Sequence, residues 1–279
     1  MSTFEPHRAF LVRLAYRMLG SVAEAEDVVQ DAFIRWREVD PATVKTPRSY
    51  LARVVSRLCI DRMRSESTRR NAYVGTWLPE PLVTSPGDAS ADDLSLALLM
   101  TLERLSPLER AAFLMHDVFD IDYADIAAMI DRSEAACRQL TVRAREHVQQ
   151  SRPRYPTDEK TRDVLVHAFM AAAFGGNVAA LAQLLAEDAV LYADGGGKRP
   201  AATTPICGRA NIMAFYARIA ALRDGSAVLE QSERVEINAL PGFIVRLDDG
   251  VQTIAFEVAD DQIAAIYVVR NPDKLRHLS

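Results

Sequence analysis

The sequence has few of the residues that build metal sites and disulfides, and no long apolar run. Its 279 residues include three cysteines and five histidines. Cys59, Cys137 and Cys207 lie apart, and no H-E-x-x-H or Cys-x-x-Cys spacing joins them to the histidines. No run of about 18 apolar residues occurs, and the N-terminus MSTFEPHRAF lacks the basic and then apolar order of a signal peptide. We therefore predict a cytoplasmic protein with no metal, no disulfide and no membrane contact.

The net charge of −5 hides a strong local contrast. Residues 45–70 contain eight lysines and arginines but two acids, whereas residues 155–279 contain twelve basic residues and sixteen acids. With 49% hydrophobic residues, the chain can hold two domains of ordinary size and build a core in each. A basic element in an acidic protein indicates one surface for an anionic partner.

The first 70 residues carry helix start signals. Ser21 and Glu24 have the spacing of a capping box, and Thr46 places a hydroxyl cap before Pro47 at a first helical position. Apolar residues after Ser21 recur at helical spacing and leave the acids on another face. The next helix, about residues 47–70, is predicted to turn its arginines outward.

Residues 73–91, YVGTWLPEPLVTSPGDASA, show no sustained period and contain three prolines and two glycines. We predict a flexible linker here. Fully extended, it would reach about 60 Å, which is one to two turns of DNA at roughly 34 Å per turn.

Helices are predicted to resume at Asp92. Ser106, Pro107 and Glu109 combine a cap, an N1 proline and a capping-box acid. The segments YADIAAMI and EAACRQLTVRAREHV follow, joined by DRS, and the second has a buried stripe and a basic outer face. This pattern predicts a helix-turn-helix with a basic second helix.

The last 120 residues predict an α+β domain. Helices at 162–175 and 178–186 precede a strand at 189–193, a further helix near 208–221, and a meander of GFIVRL, VQTIAFEV and QIAAIYVV. The intervening DGGGK is not a P-loop, because Tyr192 stands where a glycine is needed and Arg199 where a hydroxyl is needed.

These segments together resemble a known family. AEDVVQDAFIRW, PRSYLARVVSRLCIDRMRSESTRR and SPLERAAFLMHDVFDIDYADIAAMIDRSEAACRQLTVRARE are similar to regions 2.2, 2.3–2.4 and 4 of extracytoplasmic-function (ECF) sigma factors. The rest resembles a SnoaL-like domain of the NTF2-like superfamily, and WLPEP, DGGGK and NPDKL resemble the group with this extension. The expected fold is multidomain: two all-α sigma domains, then an α+β domain. The expected boundaries are region 2 at 1–72, linker at 73–91, region 4 at 92–153 and SnoaL-like domain at 158–279.

The resemblance implies partners and residues for each region. RNA polymerase core (the β′ clamp helices, and β) would bind the acidic helix, and promoter DNA the basic helices; no cofactor is implied. The polymerase-binding residues would be Asp27, Gln30, Asp31 and Trp36. The residues at the −10 element would be Tyr50, Arg53, Arg57, Arg62 and Arg64, and those at the −35 element Arg138, Gln139, Arg143 and Arg145.

The role of the C-terminal domain is left open between three alternatives. Some NTF2-like relatives are enzymes with an Asp/His pair, for which His167, Asp194 and Tyr192 are the candidates, but no second acid or histidine is spaced near Asp194, so we predict no catalysis. A small-molecule pocket is the second alternative. The third, which we favour, is regulation in cis, with DGGGK docking on the linker or on polymerase and NPDKL touching WLPEP. Its contacts would be Trp77, Pro79, Asp194, Gly196, Lys198, Asn271, Pro272, Asp273 and Lys274. The competing class is a DNA-binding regulator fused to an NTF2-like enzyme or ligand-binding domain.

Overall fold

The computed structural model describes residues 4–40, 43–71, 73–85, 95–149, 157–222 and 225–278. The chain forms two compact units: Met1–Ala72 with Leu98–Arg152, and Tyr73–Ala97 with Pro153–Ser279. The first is helical and the second contains a sheet. In the described ranges, no helix is long and apolar enough to cross a bilayer.

The helical unit begins its helices where the sequence predicts them. Ser21 caps the second helix by accepting a hydrogen bond from the Glu24 amide at 3.4 Å. Ser106 and Glu109 form the predicted reciprocal capping box. The helices are α1 (Arg8–Leu19), α2 (Val22–Trp36), α3 (Pro47–Asn71), α4 (Leu96–Glu103), α5 (Pro107–Phe113), α6 (Tyr123–Ile130) and α7 (Glu134–Gln149), with a π turn at Leu114–Val118.

The region 2 and region 4 segments pack together, although the sequence predicted separate domains. Arg57 of α3 donates from Nε to the Met129 carbonyl of α6 at 3.1 Å. Arg110 of α5 is 2% exposed and donates to the Met18 carbonyl of α1 at 2.6 Å. Because buried polar groups need partners, such contacts between distant segments fix their packing.

The second unit is built on one seven-stranded sheet in the order β1-β4-β5-β6-β7-β2-β3. Its strands are β1 (Val83–Thr84), β2 (Leu185–Asp194), β3 (Ile206–Cys207), β4 (Ser232–Ile237), β5 (Leu240–Leu247), β6 (Gly250–Ala259) and β7 (Gln262–Val269). Its helices are α8 (Glu159–Phe174), α9 (Val178–Leu184), α10 (Arg209–Leu222) and α11 (Gly225–Glu230). β4 to β7 form an antiparallel meander, and β2 runs parallel to β7.

The predicted meander is present as β5, β6 and β7, but the sequence missed β4. The β4–β5 turn uses Asn238 and Ala239, with φ of 49° and 58°. Hairpin turns of this kind favour Asn-Gly, so an alanine at the second position hides the turn signal. Helix α11 was also missed.

The described part of the predicted linker, residues 73–85, is not a free connector. β1 pairs with β4 at the edge of the sheet. Asn238 supports this pairing with two hydrogen bonds. Its side-chain oxygen accepts from the backbone amide of Leu82 at 3.1 Å, and its backbone amide donates to the Leu82 carbonyl at 2.9 Å. The backbone groups are satisfied by residues more than 150 positions away, which local composition cannot show. The predicted helix start at Asp92 lies outside the described residues.

One face of the sheet packs against the helices, as strand alternation requires. The core there includes Phe169 of α8, Leu191 of β2, Phe256 of β6 and Ile266 of β7. In the helical unit, the buried Cys59 and Cys137 fill space in the core as small apolar residues.

Arg110 is expected to dominate the stability of the helical unit. Besides Met18, it donates to the Leu102 carbonyl at 2.8 Å and pairs with Glu103 at 2.6 Å. Arg110→Ala leaves buried acceptors without a donor and should lower the free energy of unfolding by about 3–5 kcal/mol. Arg138→Ala removes an exposed pair with Glu134 and should cost under about 1 kcal/mol.

The measurement is urea unfolding of both full-length variants, followed by far-UV circular dichroism. Equal midpoints for the two variants would contradict the dominant role of Arg110.

Candidate functional site

The acidic face of α2 is presented to solvent. Asp27, Gln30 and Asp31 are exposed. Ile34, which the sequence analysis did not single out, is 52% exposed and lies three residues after Asp31, on the same helical face. This stripe combines negative charge with one apolar side chain.

Trp36 does not belong to that surface. It is only 4% exposed, and its ring lies 5.6 Å from that of Tyr50. In this structure it packs α2 against α3, so its predicted contact with polymerase would need a different conformation.

The predicted arginines of α3 contact groups of the helical unit itself. Arg62 pairs with Glu24 at 3.9 Å and Asp27 at 3.6 Å, so it bridges α3 to the acidic helix. Arg64 pairs with Asp61 at 3.9 Å, and Arg53 lies 5.2 Å from the Tyr50 ring centre. Exposed pairs of this kind contribute about 1 kcal/mol or less, so a phosphate group can displace them.

Helices α6 and α7 form the predicted helix-turn-helix. Asp131 ends α6 with a left-handed φ of 56°. Ser133 then begins α7 by accepting from the Ala136 amide at 3.2 Å. Cys137 and Leu140 are buried, which fixes the opposite face of α7 toward solvent.

Each arginine predicted on α7 also has an acidic partner. Arg138 pairs with Glu134 at 2.7 Å, and Arg143 with Glu109 at 3.4 Å. Arg145 makes two hydrogen bonds to Asp117, at 2.6 and 2.7 Å.

Gln139 is exposed and so is Val142, at 50%. Sequence reasoning missed Val142 because it looked for charge on this face.

The DGGGK loop is organised around the carboxylate of Asp194, which is 0% exposed. Oδ1 accepts from the Tyr73 hydroxyl at 2.6 Å and from the Gly196 amide at 2.9 Å. Oδ2 accepts from the Leu78 amide at 2.9 Å and from Lys274 Nζ at 2.7 Å. The loop therefore binds the linker and the NPDKL segment together.

The three segments contact one another at several further points. Lys274 Nζ lies 4.1 Å from the Trp77 ring centre and also donates to the Leu78 carbonyl. Asn271 donates from its side chain to the Tyr73 hydroxyl at 2.8 Å. We call Tyr73–Glu80, Asp194–Lys198 and Asn271–Lys274 the linker clasp. Lys274 therefore brings the NPDKL segment into contact with the WLPEP segment.

The other residues predicted as regulatory contacts lie at the edges of the clasp. Pro79 is buried, and Pro272 starts a single 3₁₀ turn capped by Asn271. Lys198 pairs with Asp273 at 2.5 Å, and hydrogen bonds from Lys198 and Arg276 lower the Asp273 pKa.

Tyr73 is the clasp residue that the sequence analysis missed. Burial and its hydrogen bond to Asp194 raise the pKa of this phenol, so it stays a donor. No local pattern marks a lone tyrosine for this role.

Two consecutive glycines let the loop approach its neighbours. Gly196 has φ of +61°, and a Cβ there would lie 2.3 Å from Asn271 Nδ2. Gly197 has φ of +70°, and its Cβ would lie 3.2 Å from Val74. Both positions are strained for other residues, and Gly196 has no room for a side chain.

The candidate catalytic residues are not brought together. Tyr192 alternates with the core-facing Leu191 and stacks on Tyr267 at 5.5 Å, so it lies on the other face of the sheet. Asp194 is two residues after Tyr192 on the same strand, so its side chain lies on the same face as Tyr192. His167 lies on α8 beside the core residue Phe243, at 5.3 Å. Among the described residues, no group of three or more His, Cys, Asp or Glu gathers as a metal site would require.

A cavity of about 70 Å³ opens on the core side of the same sheet. None of the three catalytic candidates lines it. Its walls are mostly apolar, with Gln252, Tyr216 and Arg270 as polar members.

Comparison with known proteins places both helical segments in one family. Residues 3–69 match Sigma-70 region 2, and residues 95–148 match Sigma-70 region 4. The "ECF RNA polymerase sigma factor SigJ" of Mycobacterium tuberculosis is 34% identical over 98% of this chain and 92% of its own length. The "Ferric citrate uptake sigma factor FecI" of Escherichia coli is 28% identical over 52% of this chain and 86% of its own length.

The crystal structure of M. tuberculosis SigJ is similar over the whole chain. Its TM-score is 0.81 at 33% identity, covering 98% of this chain and 97% of that one. The predicted plan, two helical sigma regions followed by a SnoaL-like α+β domain, is confirmed. The competing class, a DNA-binding regulator fused to an NTF2-like enzyme or ligand-binding domain, is not favoured. The chain belongs to the ECF RNA polymerase sigma factors.

Proposed function

We propose that this chain directs RNA polymerase core to specific promoters, working in the cytoplasm, and that its C-terminal unit regulates it in cis. The observation that carries the proposal is the order of surfaces along the helical unit. An exposed acidic helix precedes a basic helix and a helix-turn-helix, within segments that match Sigma-70 regions 2 and 4.

The exposed stripe of α2 would bind RNA polymerase core. Asp27, Gln30 and Asp31 offer carboxylates and an amide, and Ile34 adds an apolar contact. The β′ clamp helices, and β, are the partner surfaces we propose for the helical unit.

Asp31→Lys should lower promoter-dependent transcription about tenfold or more, because a reversed charge opposes a complementary surface. Run-off transcription with purified core polymerase measures it. Glu230→Lys, the same charge change on α11, should leave transcription unchanged. A normal yield from Asp31→Lys would contradict the docking role of α2.

Promoter contacts fall to α3 and α7. Tyr50, Arg53, Arg57, Arg62 and Arg64 would hold the −10 element, and Arg138, Gln139, Arg143 and Arg145 the −35 element. Phosphate contacts release counterions, so binding should weaken as salt rises. Bases are distinguished in the major groove, where arginine prefers guanine and glutamine adenine.

Val142 adds an apolar contact to this −35 surface. Arg143 and Arg145 form ion pairs with Glu109 and Asp117. Gln139 and Val142 are exposed on neighbouring turns of α7. Apolar side chains in the major groove contact the thymine methyl group.

Val142→Ala should weaken binding to a −35 duplex by about fourfold, as expected for loss of one methyl contact at about 0.8 kcal/mol. Replacing single thymines of the duplex by deoxyuridine should weaken binding of the wild-type protein by the same factor at one position. At that position the replacement should not weaken binding of the Val142→Ala variant any further. Fluorescence anisotropy measures both effects. Val164→Ala on α8 is the exposed control, and additive losses would contradict the contact.

Regulation in cis would act through the linker clasp. Docking residues 73–85 on the sheet removes about 40 Å from the reach of the connection between the sigma regions. Once the contacts of Arg57 and Arg110 between the two sigma regions also open, releasing the clasp should therefore lengthen the span that the two promoter-binding helices can cover.

Lys274→Met and Lys198→Met form a matched pair that tests the clasp. Lys274 pairs with the fully buried Asp194, so its loss should cost about 3–5 kcal/mol locally. Lys198 makes an exposed pair, worth under about 1 kcal/mol. Hydrogen exchange at the Leu78 amide should quicken at least a hundredfold in Lys274→Met only.

Transcription should rise in Lys274→Met and stay within twofold of wild type in Lys198→Met. Faster Leu78 exchange with unchanged transcription would contradict regulation by the clasp.

A small molecule is the further partner we propose for the C-terminal unit. The observation favouring it is the cavity on the core side of the sheet, whose polar members are few and largely buried. Protein interiors usually fill such space with side chains.

A further inference from the structure

The π turn Leu114–Val118 precedes the helix-turn-helix and contacts both of its helices. Its hydrogen bond runs from the Phe119 amide to the Leu114 carbonyl at 3.0 Å. A π turn inserts one extra residue into a helix, which redirects the side chains that it carries, and such turns are frequent at functional sites. Here the neighbouring residues His116 and Asp117 reach α6 and α7, respectively.

Asp117 ties the turn to α7. Its two carboxylate oxygens accept hydrogen bonds from Arg145, from Nη2 at 2.6 Å and from Nε at 2.7 Å. A bidentate pair of this kind restricts orientation as well as distance. The turn therefore has a fixed position beside α7.

His116 and Tyr123 extend this support to Arg138. The two rings lie 4.0 Å apart between centroids at an angle of 31°, and His116 Nδ1 donates to the Ile121 carbonyl at 3.1 Å. Arg138 Cζ lies 4.9 Å from the centre of the Tyr123 ring, within the range of a cation–π contact. We call His116 and Tyr123 the aromatic support of Arg138.

Arg138 gains order from this support. Its side chain is 57% exposed, and a long exposed side chain loses many rotamers when it binds. Glu134 holds the guanidinium at 2.7 Å from one helical turn away, and the Tyr123 ring holds it from α6. A side chain that is already ordered loses less entropy on binding.

The contact with Tyr123 leaves Arg138 able to recognise a base. A cation–π contact uses the flat face of the guanidinium, whereas its five N–H donors point outward in its plane. Arginine recognises guanine by directing two of these donors to O6 and N7. Glu134 uses the same donors as the base would, so it has to be displaced, but Tyr123 can keep its contact in the complex.

We propose that Tyr123, supported by His116, is a positioning residue for base recognition at the −35 element. It fixes the orientation in which the Arg138 guanidinium meets a guanine edge. This inference rests on the −35 role proposed above for Arg138. It places one determinant of promoter specificity on α6 and the π turn, outside the helix that contacts the bases.

The test is fluorescence anisotropy of the full-length protein with a −35 duplex and with a scrambled duplex of the same length. Tyr123→Leu should weaken binding to the −35 duplex about three- to tenfold, because one long side chain then has to be ordered on binding. Binding to the scrambled duplex should stay within twofold of wild type. Tyr123→Phe keeps the ring and should keep the wild-type preference.

Base analogues separate positioning from a general effect on folding. Replacing single guanines of the −35 duplex by 7-deazaguanine removes the N7 acceptor. At the guanine that Arg138 recognises, this change should weaken binding of wild type and of Tyr123→Phe, and should weaken binding of Tyr123→Leu by a smaller factor. Far-UV circular dichroism checks the folding of each variant. His116→Ala leaves Tyr123 in place and gives the same comparison should Tyr123→Leu fail to fold.

An unchanged −35 preference in Tyr123→Leu would overturn the inference, as would equal losses on the two duplexes or the same loss in Tyr123→Phe. An equal response of wild type and Tyr123→Leu to 7-deazaguanine would also overturn it. Equal binding of both duplexes by wild type would instead refute the −35 role itself, so the two failures are distinguishable.

Discussion

The buried carboxylate of Asp194 is the group on which the arrangement of the C-terminal unit depends. An isolated carboxylate with no solvent exposure would be very unfavourable. Here four donors satisfy it, one of them the Lys274 ammonium. Removing any donor leaves a buried charge underbonded, so the linker, the DGGGK loop and the C-terminal turn are held as one set of contacts.

The glycines of DGGGK have a structural explanation in this network. Gly196 gives its amide to Asp194 while its backbone passes against Asn271, where a Cβ would clash. Phosphate-binding loops use glycine for the same backbone freedom, but there the amides face an anionic ligand. In this chain the anion is the protein's own aspartate.

The sequence was a good guide to features set by local chemistry. Caps at Ser21 and Ser106 located helix starts, and charge density located the basic helix α3. It failed where distant residues decide the structure: residues 73–85 looked like free linker because their partners, such as Asn238, are remote. The sequence singled out Asp194, but neither the burial of its carboxylate nor the contribution of Tyr73 could be predicted. Trp36 was predicted on the polymerase-binding surface, although it packs in the core.

The ion pairs of the arginines proposed to bind the promoter would affect how the protein is distributed in a cell. Arg62, Arg138, Arg143 and Arg145 are each matched by a carboxylate of the same unit. If these arginines bind DNA as proposed, a random stretch of chromosome must compete with the carboxylates for their phosphate contacts, which lowers indiscriminate adsorption. The pool of molecules not bound to DNA would then be larger, and more of them would be available to bind polymerase.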